Sequence, residues 1–241
     1  MATLLAQGVL YLHIPKTGGN WMTNILRDQG LVRGRVGNKH ATFDMISDFR
    51  QKHLRGTLQR MRWTLGETVG LHHGLTARPR IVCVVRHPLS WYESWFKFQT
   101  ARDWKTWGTR GDLRDWHAMA DMNANAAPDF NAFMRNVNHN TPGYVTQLFA
   151  RYVYGSGAEA LHNETLAEDL VAFCQRVGLP VDSAAILAAP RLGESPAARI
   201  EWDPDVLRET IENERAAFRR YGYDPDDPRR TPWTDQRQPG A

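Results

Sequence analysis

Several protein classes are excluded by what this chain has little of. Only two cysteines, Cys83 and Cys174, occur in 241 residues, too few for the disulfide framework of a small secreted scaffold. Both lie in apolar periodic segments, where a buried reduced thiol is expected. No run approaches the ~20 consecutive apolar residues that a membrane-crossing helix needs. The first residues, MATLLAQGVLYLHI, carry no basic leader and run straight into a strand pattern, unlike a signal peptide. Lysine and arginine are scattered without a dense basic block, which speaks against a nucleic-acid partner. A formal charge of +4 is mild and suits a small anion better than a long polyanion. Neither HExxH nor a paired Cys/His spacing is present to hold a metal. The expectation is a cytoplasmic protein with no metal, no nucleic acid and no membrane span.

The rest of the composition is ordinary, 42% hydrophobic and 23% charged, with enough chain to bury a substantial core. A single domain is expected over 1–225, followed by a Pro-, Asp- and Arg-rich tail at 226–241 that reads as a flexible terminus, extended or disordered. Gly8 to Ile14 has the pattern of a buried strand, and Asn20 to Gln29 that of a helix stopped by Gly30. A helix is placed at 43–61. Ile81 to Val85 (IVCVV) is continuously apolar and β-branched, as in a strand buried on both faces of a parallel sheet. Pro88 opens a helix carrying Leu89, Tyr92, Trp95 and Phe96.

Further helices are punctuated by Thr141-Pro142 as an N-cap pair, a capping box at Thr165 to Glu168 with Gly178 as its stop, and Asp203-Pro204 opening a helix that runs to Gly222. Helices alternating with short strands make the expected fold α/β, a central parallel sheet flanked by helices. Ligands of such sheets bind beyond the carboxyl ends of the strands.

The stretch VLYLHIPKTGGNW stands at such an end. An apolar strand leaves through a Gly-containing turn into a helix N-terminus, where inward backbone amides and the helix dipole favour an anion. Lys16 adds a full charge, and Thr17 and Asn20 add side-chain donors. The order is not that of the ATP-binding loop G-x-x-x-x-G-K-[ST], because Lys16 precedes Gly18 and Gly19. A strand-to-helix turn with no ligand is the competing reading.

This loop resembles the 5′-phosphosulfate loop of sulfotransferases that use 3′-phosphoadenosine 5′-phosphosulfate (PAPS), in its HIPKTGG and P-K-S-G-T-T-W forms. The resemblance covers residues 15 to 21, that is Pro15, Lys16, Thr17, Gly18, Gly19, Asn20 and Trp21. It implies that Lys16 meets the bridging region of the phosphosulfate, that the next residues bind its phosphate, and that Trp21 packs near the adenine. A second stretch, VVRHPLSWYESW, resembles the 3′-phosphate motif of the same family, with Arg86 at a strand end and Ser94 eight residues on. Physically, the arginine offers a charged fork and the serine a neutral hydrogen bond. ALHNETLAEDLVAFCQRVGL resembles the family's strand, acidic turn and helix, and RRYGYDP a Gly-Tyr-acid ending of its bacterial members. The family's further Arg-Lys-Gly segment has only Arg191 as a counterpart.

The resemblance implies a P-loop-like three-layer fold and in-line sulfuryl transfer from PAPS to a hydroxyl or amine of a small-molecule or carbohydrate acceptor. The product nucleotide would be 3′-phosphoadenosine 5′-phosphate (PAP). Lys16 would stabilise the leaving phosphate without a metal. A general base is also required. His40 lies where one branch of the family has a Glu, and the pair His72 and His73 lies where other branches have a His. An imidazole suits proton transfer near neutral pH in either place.

Five tryptophans fall between Trp91 and Trp116. Trp95 is expected in the core, whereas Trp104 and Trp107 fit the core or an acceptor cleft equally. The Asn-rich stretch 123–140 is expected to form a lid. Two other functions stay open. A P-loop kinase of a small hydroxyl substrate would need a magnesium-binding hydroxyl after a loop lysine, and an acidic strand end, and neither is found. A non-catalytic nucleotide-binding protein would bind product without transferring sulfate.

Overall fold

A computed structural model of the chain describes residues 2–36, 40–46, 80–104, 118–191, 200–227, 230 and 232. In chain order the first elements are β1 (Ala2–Leu5), β2 (Val9–Leu12), α1 (Gly19–Asp28), β3 (Val32–Val36), β4 (Arg80–Val85) and α2 (Pro88–Thr100). There follow α3 (Ala118–Asn123), α4 (Phe130–Asn140), α5 (Tyr144–Val153), β5 (Glu159–His162), α6 (Leu166–Val177), α7 (Ser183–Ala188), α8 (Pro204–Asn213) and α9 (Arg215–Arg220). The chain groups into two compact units, Met1–Val84 with Arg151–Gly193, and Val85–Ala150 with Glu194–Ala241. Of the helix placed at 43–61, only residues 43–46 are described, and they are helical.

The first unit is α/β, built on a five-stranded sheet in the order β3-β1-β2-β4-β5. The expected wholly parallel sheet is corrected to a mixed one. Gln7 and Gly8 both take positive φ, 57° and 71°, and reverse the chain, so that β1 runs antiparallel to β2 with Leu4 opposite Leu10. β1 also pairs antiparallel with β3. β2 pairs in parallel with β4, from Val9 opposite Arg80 to Leu12 opposite Cys83. β3 escapes a hydropathy reading because its sequence, VRGRV, alternates valine with exposed arginine. It stands at the edge of the sheet, where such charges discourage pairing with another chain.

Helices α1, α6 and α7 cover one face of this sheet. Val9, Tyr11, Val82 and Val84 meet Trp21, Met22 and Leu26 of α1, Leu170 and Phe173 of α6, and Ile186 of α7 in one apolar core. Each such side chain contributes about 1.5–3 kcal/mol when removed from water. The alternate residues Leu10, Leu12, Ile81 and Cys83 are buried as well, so β4 is covered on both faces, as its continuous apolarity implies. Cys83 and Cys174 are both free and buried. α6 ends as expected at Gly178, in the left-handed region at φ 73°.

The second unit is organised by a buried polar centre. Glu214 is fully buried and accepts hydrogen bonds from the Tyr92 hydroxyl (2.5 Å), the Val145 and Thr146 amides (2.9 and 2.7 Å) and the Thr146 hydroxyl (2.6 Å). It thereby serves the amides at the start of α5, which the helix itself leaves without partners. Burial raises its pKa above the ordinary carboxylate value, against the opposing pull of these bonds.

Two expected helix boundaries are corrected on this account. Thr141-Pro142 does not open the helix, which starts at Tyr144; Gly143, at φ 68°, packs its Cα where an added Cβ would stand 2.9 Å from the Asn213 carbonyl. The single helix expected from Asp203 to Gly222 is broken into α8 and α9 at Glu214. In the first unit the capping box at Thr165 is also corrected. The Thr165 hydroxyl donates to Asp169 Oδ1 and makes no cap bond to the helix backbone.

The Asn-rich stretch is no lid. Asp129 caps α4 by accepting from the Ala132 amide, and Phe133, Met134 and Val137 are fully buried. Its asparagines bind structure: Asn138 donates to the Thr210 hydroxyl at 3.1 Å and Asn140 to Asn125 Oδ1 at 2.9 Å. Trp95 lies in the core, stacked on Trp91 at 5.1 Å between centroids. Trp104 packs against Phe96 and Phe133, while Trp107 lies outside the described residues.

Replacing Glu214 by Ala strands four donors, the Tyr92 hydroxyl, the Val145 and Thr146 amides and the Thr146 hydroxyl. Glu214→Ala is expected to lower stability by at least about 3 kcal/mol, read as a shift of the urea-unfolding midpoint.

Candidate functional site

The carboxyl ends of β2 and β4 lie side by side at one edge of the sheet, because the two strands are parallel neighbours. From β2 the chain passes through His13 and Ile14 into the turn Pro15 to Gly18 and then α1. The turn is held by the Thr17 hydroxyl, fully buried, which donates to the Ile14 carbonyl at 2.9 Å. Lys16 sits in the left-handed region at φ 66° and Gly18 at φ 84°. A lysine held there costs on the order of 1 kcal/mol or more, a strain typical of functional turns. Asn20 is exposed, Pro15 is buried and Lys16 is half-buried.

The glycines have a reason inside the protein. A Cβ on Gly18 would overlap the Asn163 side-chain amide, and a Cβ on Gly19 would overlap the His13 ring. Asn163 follows β5 directly, so the loop rests against the end of that strand. Trp21 is 5% exposed and lines a pocket of about 330 Å³ with Asn24, Ile25, Arg27, Ala189 and Pro190. Its indole Nε1 is buried with no hydrogen-bond partner among the described residues.

His40 comes to the same place. Its ring meets the His13 ring edge-on at 4.9 Å between centroids, and its Nδ1 lies 3.1 Å from the His13 carbonyl. The Tyr152 hydroxyl donates to the His40 carbonyl at 2.7 Å. His40 therefore lies one imidazole away from Gly19. His72 and His73 lie outside the described residues.

A pair that sequence reasoning missed is His162 with Asp169. The Asp169 Oδ2 atom accepts from the His162 amide at 2.8 Å and lies 3.0 Å from His162 Nδ1. Burial pushes the Asp169 carboxyl up, but its bonds with His162 and Thr165 outweigh this and hold its pKa below the ordinary value. The signal for it was the His-Asn dipeptide at the end of β5, hidden by the acidic turn that follows. Arg191 donates to the Glu164 carbonyl at 2.5 Å, a bond within the first unit.

In the second unit, Arg86 is the first residue after β4 and His87 precedes the helix proline. His87 is fully buried, edge-on to Phe218 and Tyr223 at 5.2 and 5.3 Å, with Nε2 3.5 Å from the Asp224 carbonyl. Ser94 is 5% exposed on α2. Arg230 donates to Ser90 Oγ and Glu93, and Tyr223 bridges to Pro232.

No protein-family model, curated protein or solved structure matches the chain. Among the described residues, no helix is long and apolar enough to cross a membrane.

Burial lowers the His87 pKa to about 3, with Arg230 and Arg86 adding to the effect and the Asp224 carbonyl and Asp227 opposing it. The unfolded chain binds that proton near pH 6.5 and the native chain does not, so stability falls as pH drops from about 6.5 toward 3. Over pH 7.5 to 5.5, His87→Gln is expected to show a shallower loss of unfolding free energy than the native chain, read from urea titrations.

Gly19→Ala is expected to cost about 1–3 kcal/mol by overpacking against His13. In a His13→Ala background the same change should cost much less, and additivity in this double-mutant cycle would show that the ring is not what excludes the methyl group.

Proposed function

We propose that the chain is a PAPS-dependent sulfotransferase. The observation that carries this is the parallel pairing of β2 and β4, which brings the ends of both strands to one sheet edge: one runs into PKTGGNW and the other into Arg86 with Ser94 eight residues on. PAPS has two anionic groups, one on each side of its ribose, and each of the two motifs offers donors suited to one such group.

In this function the amides at the start of α1 and the Lys16 ammonium hold the 5′-phosphosulfate. The pocket beside Trp21 has an aromatic wall, which suits the adenine. Arg86 and Ser94 hold the 3′-phosphate. The acceptor oxygen attacks sulfur in line, the S–O bond to the 5′-phosphate breaks, and its electron pair goes to the phosphate oxygen. Lys16 neutralises the charge that develops there, so it acts most strongly in the transition state and less in the bound ground state. A base takes the acceptor's proton. The Thr17 hydroxyl, buried and committed to the Ile14 carbonyl, is poorly suited to bind magnesium, which disfavours a kinase.

Lys16→Ala is expected to abolish transfer of ³⁵S from PAPS to a pooled library of sugars and small alcohols. Arg86→Ala should weaken binding of PAP roughly tenfold or more, the scale of a lost charge-assisted contact, while leaving affinity for adenosine 5′-phosphate nearly unchanged. Equal affinity of the native chain for these two nucleotides in calorimetric titration would sink the proposal. Magnesium-dependent ATP turnover would point to the kinase instead, and tight PAP binding without transfer to any acceptor would point to a binding protein.

A further inference from the structure

We propose that the end of α2 is a binding site for a small planar carboxamide, closed here by the Trp104 ring. The site lies within the second unit and uses none of the residues given to PAPS, so it holds or fails apart from the sulfotransferase function.

Gln99 carries the argument. It is fully buried, yet among the described residues neither its amide nitrogen nor its amide oxygen has a hydrogen-bond partner. A buried amide with both ends unsatisfied costs free energy, and an apolar side chain of similar size would carry no such cost. Such a group calls for an explanation beyond packing. On the helix surface its neighbours are Phe96 and Trp95, three and four residues back. The Trp95 indole nitrogen is buried and without a partner in the same way.

The turn that follows is strained. Asp103 and Trp104 both take positive φ, 50° and 53°; aspartate tolerates this region, but a bulky tryptophan is an outlier there. The turn folds back on Gln99 itself, whose carbonyl accepts from the Arg102 and Trp104 amides at 2.9 and 3.0 Å. The result is the placing of one ring. Trp104 is set against Phe96 and Phe133, at 5.8 and 5.4 Å between centroids, and stays partly exposed. Asn123 Nδ2 donates to the Trp104 carbonyl at 3.2 Å, while Asn123 Oδ1 is buried with no partner among the described residues. Backbone strain favours release of the ring, and the Asn123 bond and aromatic packing oppose it.

The unsatisfied groups name the ligand. Gln99 has N–H donors beside a carbonyl acceptor, and a carboxamide answers both with two parallel hydrogen bonds. An amide, an indole N–H and an amide oxygen are all neutral, so a charged ligand would lose its water without gaining a counter-ion from them. A flat ring attached to the carboxamide takes the place of Trp104 against Phe96 and Phe133, one turn of helix from Gln99. An aromatic lining with a few convergent polar groups is the usual make-up of a small-molecule site.

The probe is benzamide, with benzoate as its charged isostere and acetophenone as the version without N–H groups. Benzamide should shift the side-chain ¹H–¹⁵N signal of Gln99, assigned by its loss in Gln99→Leu, in a saturable way, and should red-shift tryptophan emission as Trp104 moves into water. Benzoate should do neither, and acetophenone should bind roughly tenfold more weakly, the scale of a lost buried hydrogen bond. Two variants separate binding from packing. Gln99→Leu should raise the urea-unfolding midpoint of the free chain and abolish the emission response to benzamide. Trp104→Ala removes the competing ring and should tighten benzamide binding roughly tenfold, since the closed state no longer has to be displaced. A lowered midpoint in Gln99→Leu would mean that the fold satisfies the amide, and overturns the proposal. So does a native Gln99 signal indifferent to benzamide, a response to benzoate equal to that to benzamide, or weaker benzamide binding in Trp104→Ala.

Discussion

The parallel ladder between β2 and β4 is the constraint on which the rest of the first unit depends. β2 is hydrogen-bonded on both edges, to β1 and to β4, so it cannot shift against one neighbour without breaking its match to the other. A slip of one residue would also turn Val9, Tyr11, Val82 and Val84 away from α1 and α6 and bring the opposite set inward. Because the register is held from both sides, the points where the chain leaves the two strands are held as well. The anion loop is thus a consequence of strand pairing before it is a property of its own residues.

That loop stores strain and is supported in proportion. Lys16 at φ 66° and Gly18 at φ 84° would relax in an isolated peptide. Here the Thr17 hydroxyl closes the turn on Ile14, the Asn163 amide fills the space over Gly18, and the His13 ring fills that over Gly19. The glycines that a sequence reading assigns to ligand approach are required first by the protein's own side chains. The two requirements are compatible, since a backbone without Cβ atoms is open on whichever side the protein leaves uncovered. The same crowding brings His40 within one ring of the loop, although it lies 27 positions beyond His13 in the chain and no pattern of apolar residues announces it.

The second unit shows a different principle, in which distant polar groups override local capping signals. Thr141-Pro142 has the composition of a helix start, but a carboxylate at Glu214 reaches the amides of Val145 and Thr146, and the helix begins where that charge is. Asn138 and Thr210 exchange hydrogen bonds in the same interior, and His87 is kept neutral between two aromatic rings and two arginines. Buried groups of this kind are satisfied one by one, and each sets a distance between helices that apolar packing alone would leave looser.

Periodicity and punctuation by themselves determined the elements that bury apolar residues continuously: β2, β4, α1, α2 and α6, the stop at Gly178, the reduced cysteines and an α/β class. They did so because burial and backbone conformation leave marks at short range. They could not reveal β1, whose pairing depends on a reversal at Gln7 and Gly8, nor β3, whose arginines suit an edge and hide a strand. Only the tertiary structure decided that the sheet is mixed, that α4 is core in place of a lid, that Glu214 caps a helix some 70 residues earlier in the chain, and that His13, His40 and Tyr152 meet. Each of these rests on contacts between residues far apart in sequence, and such contacts arise from close packing in three dimensions, which local composition does not encode.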